Sequence, residues 1–245
     1  MESQLEWSVI LLATLAVTVG ATIQAVVGFG VAMVAAPILL LLDPRLVPGP
    51  LLASSIALSL LMTHRHWHGL EGRWVRLAVS GGVPGIILGA SVIALIPIRT
   101  AAVVIASLVL LGVVMSAAGH RVKLTTKSLL LAGAASGFMA TIASIGGPPL
   151  ALLLQDEEGD TLRGTMAAFF TALGVVSVSA LAFVGRFGQE EWLITAPMIP
   201  GILLGFYLGN HLTSRIDKGV TRIALLWICA LTASAAVVKY GFFYG

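Results

Sequence analysis

The sequence predicts an all-α polytopic membrane protein. It is expected to contain two inverted repeats of four apolar runs each, the first run of each repeat being a broken or re-entrant helix pair, which gives eight to ten membrane segments. Three observations carry this. Of the 245 residues 58% are hydrophobic and only 10% charged, with a mean hydropathy of +1.02. The charges fall between long uncharged runs rather than within them. And the chain repeats itself: Pro84-Gly85-Ile86-Ile87-Leu88-Gly89 returns as Pro200-Gly201-Ile202-Leu203-Leu204-Gly205, and the same offset of 116 carries Gly30 onto Gly146 and Arg99 onto Arg215.

The elements follow in order. Run 8–42 is preceded by Glu2 and Glu6, the wrong flank for a cleavable leader, so it is expected to belong to the mature chain. It exceeds the roughly 20 residues that one helical crossing needs, and Gln24-Ala25-Val26-Val27-Gly28-Phe29-Gly30 interrupts it, so a long leg and a shorter return leg are expected. Runs 46–63, 77–98 and 100–119 each fit one crossing and complete a first repeat, 1–119. Run 128–155 is again over-long and is interrupted at Thr141-Ile142-Ala143-Ser144-Ile145-Gly146-Gly147-Pro148-Pro149. Helices 164–185, 192–214 and 223–240 complete the second repeat, 120–245. The Pro-Gly and Gly pairs at 84–89 and 200–205 put small residues on one helix face, the pattern of close helix packing.

Lysine and arginine set the expected sidedness. The connections holding Arg65, Arg73 and Arg76, then Arg121, Lys123 and Lys127, then Arg215, Lys218 and Arg222 are expected to be cytoplasmic. Those with Asp43 and Arg45, with Arg99, and with Arg186, Glu190 and Glu191 are expected outside, as are both termini. Each over-long run then starts and finishes on one side, and the halves are inverted. The acidic stretch Asp156-Glu157-Glu158-Gly159-Asp160 falls inside. Trp7, Trp67, Trp74, Trp192 and Trp227 read as interfacial anchors. The net charge of +3 is dispersed among connections, which excludes a nucleic-acid patch, and the single Cys229 excludes an intramolecular disulfide and a cysteine-based metal cluster. His64, His66 and His68 read as a positively charged rim rather than a metal site. No metal or cofactor is expected.

The two interruptions are the candidate site. Glycine allows backbone angles that other residues avoid, and proline fits the first turn of a new helix. Backbone groups freed at such a break cannot face lipid and must be buried or line a wet cavity. A helix starting at Pro148 or Pro149 would aim its dipole and free N–H groups at the break, favouring an anion. Candidate binding residues are therefore Gln24, Gly28, Phe29, Gly30, Thr141, Ser144, Gly146, Gly147, Pro148 and Pro149, with Arg163 placed either to attract an anion or simply to snorkel from a helix end. No carboxylate lies at membrane depth, which disfavours a cation pathway or a side-chain proton relay. Neither a nucleophile with a base nor a carboxylate pair appears there, so no enzyme is expected. A carrier with paired helix breaks is the pattern of inverted-repeat transporters. A carrier or channel for another small anion or a neutral solute, or an accessory membrane subunit, remains the alternative.

The glycine-rich break followed by Pro37 and a leucine run, the Gly146-Gly147-Pro148-Pro149-Leu150-Ala151-Leu152 stretch, Arg163 and the Pro-Gly-Ile-x-Leu-Gly repeats resemble the sulfite exporter TauE/SafE family of membrane transporters, across essentially the whole chain. The first break departs from the family pattern in having Gly28-Phe29-Gly30 instead of a longer glycine run. The resemblance implies a secondary transporter of small sulfur-containing anions (sulfite, thiosulfate or organosulfonates) in a cell membrane, as in the bacterial inner membrane. Its partners would be that oxyanion and the lipid bilayer, with a homo-oligomer left open.

Overall fold

A computed structural model describes residues 6–118, 122–157, 159–212 and 218–242, with 118, 218–225 and 242 as backbone only. Within them the chain forms α1 (Trp7–Val27), α2 (Val31–Leu42), α3 (Gly49–Arg65), α4 (Gly72–Leu95), α5 (Ile98–Ala118), α6 (Thr126–Ala143), α7 (Gly147–Leu153), α8 (Gly159–Phe183), α9 (Gln189–Thr195), α10 (Ile199–Leu212) and α11 (Lys218–Phe242). Short 3-10 turns occupy Pro44–Leu46, Trp67–Gly69 and Ala196–Met198. Among the described residues seven segments are long and apolar enough to cross a membrane. By contrast α2 and α7, at roughly 1.5 Å per residue, reach only about 18 and 11 Å and cannot cross a core of about 30 Å alone. Expected features at Glu2, Arg121, Glu158 and Arg215, and the ends of runs 100–119 and 192–214, lie outside the described residues.

Both over-long runs are broken, at Gly28–Gly30 and Ser144–Gly146. Several boundaries differ from expectation, α4 beginning at Gly72 rather than 77 and α11 at Lys218 rather than 223. α8 begins at Gly159, so Asp160 and Arg163 are already helical. The single helix expected at 192–214 is instead α9 and α10 joined by a 3-10 turn: Pro197 has no N–H to give to the preceding turn, and the backbone tightens there while staying right-handed, with φ −54° and ψ −47° at Ala196.

The glycine motifs set the tightest packing. α4 lies along α6 and α10 along α1. On α4, Gly81 and Gly85 face the backbone carbonyls of Leu130 and Ala134; from α6, Gly133 and Gly137 return the contact to Ala78 and Gly82. A Cβ on Gly201 would sit 2.7 Å from the Thr14 carbonyl, and one on Gly205 would sit 2.5 Å from that of Thr18. Only hydrogen fits between such backbones. Thr14, Thr18 and Thr22 meet their own hydrogen-bonding needs on carbonyls one turn back, at 2.7–2.8 Å. α3 pairs with α8, and α5 with α11. The large core cluster draws on residues from Ala13 to Ala236, so the two halves share one interior.

Each end of the bundle is tied by polar contacts. At one end Arg45 pairs with Asp43 at 2.8 Å and reaches Glu190 at 3.6 Å. There too Arg186 donates to the Ala94 and Ile96 carbonyls at 3.2 and 3.1 Å, and Lys239 donates to that of Leu41 at 2.8 Å. Burial works to raise the Asp43 carboxyl, but the hydrogen bonds and charge of Arg45, with Lys239 behind it, hold it below its ordinary value. At the other end His66 meets Asp160, Nδ1 to Oδ1, at 2.8 Å. His66 is therefore turned inward against α8, while His64 and His68 stay exposed, so the three histidines do not form one rim. Among the described residues no three His, Cys, Asp or Glu side chains converge on a metal position.

Candidate substrate cavity

The first break is built by glycine geometry. α1 ends on Gly28 at φ 106°, whose N–H returns to the Gln24 carbonyl at 2.7 Å, and Gly30 takes φ 130°. Both angles lie where a side chain is strained. Arg163 closes the end of α1 from outside, its Nε and Nη2 donating to the Val26 carbonyl at 3.3 and 3.1 Å. Gln24 belongs to the last turn of α1 but serves α2: its Oε1 accepts the Val31 N–H at 3.0 Å. The next two amides of α2, on Ala32 and Met33, have no intrahelical acceptor, as at any helix start.

The second break uses a different device. Ser144, not a glycine, takes the left-handed conformation at φ 62°, its N–H returning to the Ala140 carbonyl at 2.7 Å and its hydroxyl donating to the Pro48 carbonyl at 2.8 Å. Gly146 is in the ordinary right-handed region at φ −98°. The glycines here provide space: a Cβ on Gly147 would lie 3.2 Å from Phe29 Cδ2 and 3.6 Å from Phe170 Cζ. Phe29 of the first break thus packs directly on Gly147 of the second.

Between them lies a cavity of about 40 Å³ lined by both breaks, by Ala32 and Met33, by Leu52, Ser55 and Ser59 of α3, and by Phe170, Leu173 and Gly174 of α8. At roughly 10–15 Å³ per water it holds about three waters, the bulk of a small oxyanion. The structure brings Gln24, Phe29, Gly30, Ser144, Gly146 and Gly147 to its wall. It leaves the other expected residues outside. Gly28 faces Arg163; the Thr141 hydroxyl donates to the Gly137 carbonyl and Ser177 Oγ; Pro148 packs on Gly112; Pro149 is buried in the first turn of α7; and Arg163 is committed to Val26.

Sequence reasoning missed α3 and α8. Ser55 and Ser59, one helical turn apart in an apolar run, were the only local signal. The Ser55 hydroxyl donates to the Leu52 carbonyl at 2.7 Å. Ser59 and Gln24, 1% and 3% exposed, border the cavity, where the Ser59 hydroxyl and the Gln24 amide nitrogen are free to donate to its contents. No lining residue is ionisable. What lines the interior is a set of neutral polar groups, the Gln24 amide and the Ser59 hydroxyl as donors and the Ser55 and Ser144 oxygens as acceptors, together with the start of α2, worth roughly half a positive charge.

A multi-pass bundle enclosing an uncharged, donor-lined cavity where two broken helices meet is, in class, a membrane transporter. The sequence matches the sulfite exporter TauE/SafE family over residues 12–236. The chain belongs to that family. Searches of curated proteins and of solved structures gave no match.

Proposed function

We propose that this chain is a secondary transporter of small sulfur-containing oxyanions, working by alternating access around the cavity where the two helix breaks meet. The observation that carries the reading is that both breaks line one cavity whose polar groups carry no formal charge and include the Gln24 amide and the Ser59 hydroxyl as donors. Lipid cannot solvate such groups, and an anion can satisfy several at once. Gln24, Phe29, Gly30, Ser144, Gly146 and Gly147 form the site, and Arg163, beside the first break, adds positive field on the path to it.

The two units, 1–119 and 120–245, are inverted repeats in this reading. Helix ends support it: α1 and α6 stop at Val27 and Ala143, and α2 and α7 start at Val31 and Gly147, both 116 residues apart. Reciprocal packing of α4 on α6 and α10 on α1 supports it too. Asp43, Arg186, Glu190 and Lys239 gather at one end, which we assign to the outer face of the cell membrane with both termini, and His66 and Asp160 mark the cytoplasmic end. The test is uptake of labelled sulfite, thiosulfate and a small sulfonate into proteoliposomes. Saturable uptake of one of them above empty liposomes is expected. No flux of any anion sinks the proposal and returns the neutral-solute and accessory readings.

A further inference from the structure

We infer that the cavity accepts its oxyanion in the singly charged, protonated form, so that sulfite crosses as hydrogensulfite and brings its own proton. This rests on the transport reading above and specifies the charge state its site selects. The desolvation cost of an ion grows as the square of its charge, whereas its attraction to fixed dipoles grows only in proportion. A site with a full cation can hold a dianion; a site of dipoles alone favours a monoanion.

The residues fit the second case. The donors are the Gln24 amide nitrogen and the Ser59 hydroxyl, on two buried residues that line the cavity, beside the first-turn amides of Ala32 and Met33. The charged groups of the surrounding elements are engaged elsewhere or lie at helix ends. Arg163 of α8 sits on the Val26 carbonyl, and Asp160 on His66. Asp43 and Arg45 pair with each other between α2 and α3. His64 and Arg65 end α3, Lys127 begins α6, and α1 and α7 contain no charged residue. The proton on hydrogensulfite also suits the wall, because its O–H can donate to the Ser55 or Ser59 oxygen, which a dianion cannot do. No protein side chain then needs to carry the proton: it enters on the anion and is released on the far side as the medium dictates.

The experiment uses the full chain in proteoliposomes loaded with a pH-sensitive dye, with empty liposomes to subtract passive permeation. At fixed total sulfite, uptake is expected to fall about tenfold per pH unit once the medium passes the second dissociation of the acid, and the lumen is expected to acidify as sulfite enters. Methanesulfonate, a permanent monoanion, should inhibit equally at all these pH values, and thiosulfate, a dianion throughout, should inhibit poorly. The Ser59→Ala variant should raise the apparent KM for sulfite about tenfold or more, the loss expected of a hydrogen bond to a charged group. Uptake that ignores pH, inhibition by thiosulfate as strong as by methanesulfonate, or an unchanged KM in Ser59→Ala overturns the inference while leaving anion transport standing. Absence of sulfite flux at every pH overturns the transport reading itself.

Discussion

Replacing Gly147 by leucine puts the cavity to its most direct test. A Cβ at this position would already sit 3.2 Å from Phe29 Cδ2 and 3.4 Å from Phe29 Cβ, and the rest of a leucine side chain would enter a space of about 40 Å³ or displace Phe29 and Phe170 around it. Forcing extra carbons into a packed site costs about 1–3 kcal/mol. If that cost falls on the substrate-bound state, transport slows about 5- to 150-fold. The assay is initial uptake of labelled sulfite into proteoliposomes by variant protein that elutes as a single species and melts cooperatively in detergent. Native uptake by a folded Gly147→Leu protein would refute the argument, since no anion could then pass through this cavity.

Three further outcomes follow from the packing and the charges. Gly85→Leu, which drives a side chain into the Ala134 carbonyl at the α4–α6 crossing, should destabilise by about 3 kcal/mol or more and lower Tm by roughly 6–12 °C; Leu88→Ala, on the exposed face of the same helix, should leave Tm nearly unchanged. Arg163→Gln removes the two donors on the Val26 carbonyl and should cost about 1–2 kcal/mol, less than a fully buried charged hydrogen bond because the side chain is partly exposed; an unchanged Tm would count against its role in closing α1. Asp43 has a folded pKa below its ordinary value of 3.8, so its contribution is present above that value and is lost as pH falls through the lower folded one. Melting followed from about pH 6 to about pH 3 should show this loss, and Asp43→Asn should flatten it.

Much of the helical framework is legible in the sequence because lipid imposes length and apolarity on anything that crosses it. The breaks are legible for the same reason: glycines within runs too long for one crossing have to turn the chain. How a break turns is less legible. The backbone at the second break depends on Ser144, whose hydroxyl is held by the Pro48 carbonyl, nearly a hundred positions earlier in the chain. The opposite wall of the cavity is the least legible part. Ser55 and Ser59 look like ordinary small polar residues in a transmembrane helix, and Phe170 looks like any lipid-facing aromatic, until α3 and α8 are placed against the breaks. Pro148 and Pro149 begin a helix, as their position after two glycines leads one to expect, and Pro148 packs against Gly112 of α5, a contact no local pattern announces.

The reciprocal grip of α10 on α1 and of α4 on α6 has a consequence for how the protein is made. α1 leaves the ribosome before α2 to α9, and the helix whose glycines fit its Thr14–Thr18 face emerges only after all of them. Throughout synthesis the first helix must therefore wait in the bilayer with that face uncovered, available to chaperones, to lipid, or to a neighbouring nascent copy. Synthesis of the first half alone should yield a chain that inserts and is then degraded, and co-expression of the two halves as separate polypeptides should rescue both.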